Sequence, residues 1–146
     1  MSNRFEIGNI MSMGSQVTAG YRVIKSGLEY DKYFPKPQKQ DRVIIEDGEV
    51  TQTVDLMKKV VWKYLADTKK IAAILSGKSL EETCTNIWNF LYHNIQYRLD
   101  KKGLEQLRRP ARSWHERTEG IDCDCFSIFA SSILTNLGIP HSFRIT

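Results

Sequence analysis

The sequence predicts an α+β domain that is mainly helical. Three observations point there. An apolar stripe at three- and four-residue steps runs through Phe126, Phe129, Ala130, Ile133, Leu134 and Leu137. A capping box, Ser79-Leu80-Glu81-Glu82, precedes a second stripe of Ile87, Trp88, Leu91 and Ile95. Short segments, Val43-Ile44-Ile45 and Ser142-Phe143-Arg144-Ile145, have strand character. Steps of three and four residues define one helical face, whereas alternation defines a half-buried strand.

The chain of 146 residues fits one domain and is long enough to bury a core. We divide it into an arm with a short strand over residues 1–48 and a helical part over residues 49–146. In the arm, closely spaced glycines argue against a long helix, and Val17 to Ile24 reads as a strand or helical turn. Tyr33-Phe34-Pro35-Lys36-Pro37 is a loop, because each proline pushes its predecessor out of helical geometry. The Val43–Ile45 strand closes on the turn signal Glu46-Asp47-Gly48.

From Thr53 the pattern becomes helical, with Val54, Met57, Val61, Tyr64 and Leu65 facing inward. A short helix over 69–75 stops at Ser76-Gly77, and the capped helix then runs to about Ile95. Residues 98–119 show no clear period and read as a long connection, a kind that often carries function. Asp122 is a good N-cap for the last helix, which makes Cys123 its first residue and Gly138 with Pro140 its stop. At about 100° per residue, Cys123 falls beside the Phe126, Ala130 and Leu134 stripe while Cys125 points away from its centre, so Cys123 is expected to look inward.

Unpaired N–H groups and the macrodipole at a helix start favour an ionised thiol, whereas the flanking Asp122 and Asp124 oppose it. Strong activation needs a cationic partner. Two readings stay open at Cys123, a small packing residue or a reactive nucleophile. Cys84, beside Glu81 and Glu82, reads as structural. The Cys123-Asp-Cys125 spacing with His115 or His141 is not that of a structural zinc site, and neither metal nor cofactor is expected.

Hydrophobic residues at 41% and charged residues at 26% are ordinary for a globular protein. The net charge of +4 is spread over pairs such as Lys58-Lys59 and Arg108-Arg109, each near acids. These read as solvated surface, so nucleic acid is not an expected partner. Three cysteines without framework spacing, no apolar leader and no membrane-length run imply reduced thiols, a cytoplasmic setting and no membrane.

Ile87-Trp88-Asn89-Phe90, Asn94-Ile95-Gln96-Tyr97, Arg109-Pro110-Ala111-Arg112, Gly120-Ile121-Asp122-Cys123-Asp124 and Leu137-Gly138-Ile139-Pro140 together resemble the first half of a transglutaminase-like domain of the papain-like cysteine superfamily. The resemblance covers residues 80–146. With the Asp47-Gly48 turn and the preceding helices added, it extends to transglutaminase-like proteins of phage and prophage gene clusters. The pattern differs in having Ile121 between the glycine and the aspartate, and Cys125 where many members carry a second acid.

The resemblance implies the N-terminal half of a papain-like fold with most of its sheet missing. It implies Cys123 as nucleophile, Asp122 and Asp124 as cap and site support, and a protein or peptide substrate. The family's histidine and aspartate lie on strands after the cysteine helix, and the chain stops before either. We therefore expect part of a cysteine hydrolase or acyl transferase, inactive as this chain, in the cytoplasm or in a virion if phage-encoded. Of the histidines present, His115 is the least poor substitute base, since His93 lies inside a helix and His141 begins the following strand. The alternative is a structural or interaction protein of phage origin that keeps the scaffold. Either way the Phe126–Leu137 stripe needs a cover, from the arm or from a second copy in a homo-oligomer.

Overall fold

The computed structural model describes residues 5–6, 21–38, 41–46 and 48–145. The elements are β1 (Phe5–Glu6), a 3₁₀ turn (Leu28–Tyr33), β2 (Arg42–Glu46), α1 (Val50–Lys63), a second 3₁₀ turn (Leu65–Thr68), α2 (Lys69–Leu75), α3 (Leu80–Asn94), β3 (Leu104–Arg108), α4 (Pro110–His115), α5 (Cys123–Asn136) and β4 (His141–Ser142). Mixed helix and strand bears out the α+β class. None of the described helices is long and apolar enough to cross a membrane.

Helix α5 is the centre of the molecule. Every residue from Cys125 to Leu134 is buried, because apolar groups close on it from opposite sides. Phe126, Phe129, Ala130, Ile133 and Leu134 pack with Ile71, Ile87, Leu91 and Trp114. Ile128 instead joins Ile45, Met57, Val60, Val61 and Leu107. Small hydroxyl residues fill the seams and satisfy one another, as in the 2.6 Å contact of Thr68 with Ser132. Asn136 donates to the Leu65 carbonyl and to Thr68 Oγ1, each at 2.8 Å.

The stripe expected to need a cover is therefore enclosed within the chain, and part of the cover is the arm. Phe34 stacks on Trp114 with centroids 4.9 Å apart and meets Phe129 edge-on at 5.7 Å. Trp114 Nε1 donates to Asp31 at 2.8 Å. Gly27, at φ +66°, lets the backbone pass this cluster, since a Cβ there would lie 2.8 Å from the Trp114 ring. Of the segment expected to be regular over Val17 to Ile24, residues 17–20 lie outside the described residues, and 21–24 have no regular secondary structure. Arg22 nevertheless binds it down, donating from its side chain to the Ile95 carbonyl at 2.6 Å.

The helices expected over 69–75 and from the Ser79 cap are present. Ser79 Oγ accepts from Glu82 N at 3.1 Å, while Glu82 reaches back to Lys78 N, one residue before the usual capping-box partner. Helix α1 starts at Val50, earlier than expected, and buries Thr53, Met57, Val60 and Val61.

The connection expected over 98–119 is instead largely ordered as β3 and α4. Strand β3 pairs antiparallel with β2, Val43 opposite Leu107 and Ile45 opposite Glu105. Its alternation is hidden because Arg108 is buried along with its neighbour Leu107. Pro110 opens α4 as its first residue, where its missing N–H costs nothing. The strand expected at 142–145 forms only at His141–Ser142, parallel to β1.

The reading of Arg108-Arg109 as solvated surface is overturned. Arg108 is 7% exposed and donates to Glu116 at 2.6 Å. Arg109 grips Asp67 with Nε at 2.8 Å and Nη2 at 2.5 Å, and Ala111 N adds a third donor at 3.0 Å. Asp67 is 2% exposed, so this pair ties the Leu65–Thr68 turn to the start of α4 with the carboxylate shielded from water and Arg109 half-buried. Breaking a buried pair from one side strands the other charge. Asp67→Ala is expected to lower unfolding free energy by about 3–5 kcal/mol in urea titrations. A loss below about 1 kcal/mol, the range of exposed pairs, would show that the pair is not structural.

Candidate functional site

The approach to α5 is built by backbone hydrogen bonds. Ile121 forms a parallel bridge with Tyr97, receiving Arg98 N at 2.9 Å and donating to the Gln96 carbonyl at 3.0 Å. Ile121 is completely buried. The residue that interrupts the glycine–aspartate pattern is thus the one that pins the loop. Gly120 allows this approach at φ +108°, where a Cβ would lie 2.7 Å from that of Arg98.

Asp122 caps α5 as expected, its Oδ1 accepting from Cys125 N at 3.4 Å. Cys123 is the first helical residue. Its thiol is half-buried and lines a cavity of about 250 Å³. The walls include Asp124, Glu105, Thr53, Met57 and Phe143. The chain leaving β4 runs along this cavity as Phe143, Arg144 and Ile145.

The wheel assignment of the two cysteines is corrected. Cys125, expected to point away from the packed face, is wholly enclosed. Its Sγ donates to the Gln106 carbonyl at 3.1 Å and accepts from Arg108 Nη1 at 3.3 Å. A wheel presumes one buried face, and α5 has none that is exposed along its first three turns. Cys123 therefore looks into the cavity, not into the core.

Helix polarity does not ionise Cys123. Burial, with the charges of Asp124 and Asp122, pushes its thiol up to about 12. Its Sγ lies 3.9 Å from Asp124 Oδ1. Of the nearby cations, Arg108 is aimed at Cys125, Glu116 and Asp100, while Arg144 lines the same cavity as Cys123. Burial also raises the Cys84 thiol. Asp124 is itself raised to about 6, by burial first and then by the charges of Glu105 and Asp100.

His115 sits exposed at the end of α4 and lines a separate hollow with Pro35, Lys36, Trp114 and Arg117. It is not brought to Cys123. His141 donates from Nδ1 to the Ile139 carbonyl at 2.8 Å and accepts from Ser131 Oγ at 2.7 Å through Nε2, and it lines a neighbouring cavity. His93 faces Trp88 and Tyr92 on α3. None of the three lines the Cys123 cavity. Glu105, Asp100 and Arg108 were not visible as site residues in the sequence, because they belong to a segment without clear periodicity. No described group of three or more His, Cys, Asp and Glu residues is arranged to hold a metal ion.

No family profile, curated protein or solved structure matches the chain.

Asp122 is buried, 6% exposed. Burial, a hydrogen bond with Asp100 and the charges of Asp100 and Asp124 raise it to about 8. A carboxyl raised on folding takes up a proton as the protein folds. Its contribution is complete below the unfolded value and is lost as pH climbs through the folded one. Stability measured in urea is expected to fall between pH 5 and pH 8, by at most about 1.4 kcal/mol per pH unit from this group. Asp122→Asn, which keeps a good cap, is expected to flatten that slope. The same slope in both proteins would contradict the assignment.

Proposed function

We propose that the chain carries the nucleophile-bearing part of a transglutaminase-like cysteine hydrolase or acyl transferase of papain-like fold. The observation that supports this reading is the placement of Cys123 as the first residue of the central helix, its thiol lining an open cavity. In the reaction, Sγ adds to an amide carbonyl of a protein or peptide. The nitrogen leaves with a proton as ammonia or an amine, and the thioester passes to water or to another amine. The unpaired N–H groups of the first turn are available for the developing oxyanion.

The missing part is a base. With the thiol held up at about 12 and no histidine on the cavity wall, these residues alone do not deprotonate it near neutral pH. In this reading the base reaches the cavity from outside these walls. The same acidic setting favours the second reading, a non-catalytic structural or interaction protein that retains the scaffold.

Added imidazole separates the two. At neutral pH, p-nitrophenyl acetate is expected to acetylate Cys123 slowly. Imidazole as a diffusible base is expected to raise that rate at least about tenfold, with Cys84 as an internal reference in peptide mapping by mass spectrometry. If imidazole changes both cysteines equally, the packing reading replaces the catalytic one.

A further inference from the structure

Helix α5 ends in a reversal that folds the chain back along it. Ile139 N donates to the Leu134 carbonyl and Gly138 N to the Thr135 carbonyl, each at 3.0 Å, with Gly138 left-handed at φ +69°. This pair of bonds is a Schellman stop, and it returns His141 to the side of Ser131. A serine inside a helix ordinarily bonds the carbonyl one turn back, as Ser127 does to Cys123 at 2.9 Å. Ser131 turns its hydroxyl to His141 instead, 2.7 Å from Nε2.

The other ring nitrogen decides the tautomer. Nδ1 lies 2.8 Å from the Ile139 carbonyl, which can only accept, so Nδ1 carries the proton of the neutral ring and Nε2 offers its lone pair to the Ser131 O–H. That is the relation of a nucleophile to its base, the base oriented by a third group. The pair opens on a cavity of about 330 Å³. Val54 and Phe143 line both this cavity and that of Cys123. Trp62, 67% exposed, stands at its mouth, and Lys58, Thr135 and Ser142 bring N–H and O–H donors to its wall.

We propose that Ser131 and His141 form a second site, a serine-based esterase centre for esters of short apolar acyl chains. Ser131 Oγ adds to the ester carbonyl as its proton passes to His141 Nε2, and the alcohol leaves with that proton. Water, deprotonated by the same nitrogen, then releases the carboxylic acid, and the proton returns to Oγ. The Lys58 ammonium and the Thr135 and Ser142 hydroxyls are the donors on hand for the oxyanion. The Ile139 carbonyl fixes the ring but, unlike a carboxylate, brings no charge to offset an imidazolium. The chemistry therefore suits esters, with their better leaving groups, over amides. The cavity is at the small end for ligand sites, which limits the acyl chain. None of this uses Cys123, so the site stands apart from the reading of that residue.

A fluorophosphonate, which modifies serines activated by a base, tests the pair in the full chain. At neutral pH, peptide mapping by mass spectrometry is expected to place the adduct on Ser131. Its formation is expected to be at least about tenfold slower in urea-unfolded protein and in His141→Gln. Turnover of p-nitrophenyl butyrate is expected to fall as Ser131 fills. No adduct on Ser131 in the native protein, an equal rate after unfolding or in His141→Gln, or butyrate turnover that is absent or unchanged by labelling overturns the proposal. The native and unfolded comparison needs no variant to fold. Mapping separates Ser131 from Cys123, so this failure is distinct from failure of the imidazole experiment.

Discussion

The enclosure of α5 is the constraint on which the remaining structure depends. A helix with solvent on one side needs a single apolar stripe, but one with neighbours all round must present something suitable in every direction. The chain meets this with Phe129 and Ile133 toward α2, α3 and Trp114, Ile128 toward the β2–β3 pair and α1, and serines in the seams. Close packing of this kind holds the first turn of the helix in one place. That fixes Cys123 relative to β3 and to the loop at Ile121.

Once the first turn is so deeply set, burial and not helix polarity governs its chemistry. The field of a helix start is worth about 2 kcal/mol in the most favourable partly buried case. Against it, the thiol loses water and meets two carboxylates, and these push Cys123 up to about 12. Buried arginines manage the acids on the other side of the cluster. Arg108 is aimed at Cys125, Glu116 and Asp100, and Arg109 and Arg112 both reach Asp41. Burial by itself would raise the Asp41 carboxyl, yet the Arg112 hydrogen bond, the Gln38 N–H and the two guanidinium charges draw it below its ordinary value. The arginines of the 108–117 segment therefore act as internal ties.

Much of the helical frame was legible because its signals are local. Ser79 with Glu82, the stop at Ser76-Gly77 and the Asp122 cap each rest on a few adjacent residues, and the structure uses all of them. The pairing of β3 with β2 was not legible, since the two strands are far apart in sequence and a buried Arg108 disguises the inward side of β3. The inverted roles of Cys123 and Cys125 have the same origin. Geometry along one helix says which residues share a side, but only tertiary packing says how many sides are covered. Among the site residues, Cys123, Asp122 and Asp124 could be found from their motif. Asp100 and Glu105 became visible only when the fold brought β3 and its approach to the helix start.

The chemistry open to Cys123 turns on how firmly its environment holds the thiol proton. The direct measurement is the ultraviolet absorbance of the thiolate followed from pH 6 upward in a Cys84→Ser protein, where Cys125 is sealed from solvent. We expect no thiolate from Cys123 until well above pH 9, in keeping with a value of about 12. A thiolate appearing below pH 8 would contradict the account, because helix polarity would then have prevailed over burial and the two aspartates.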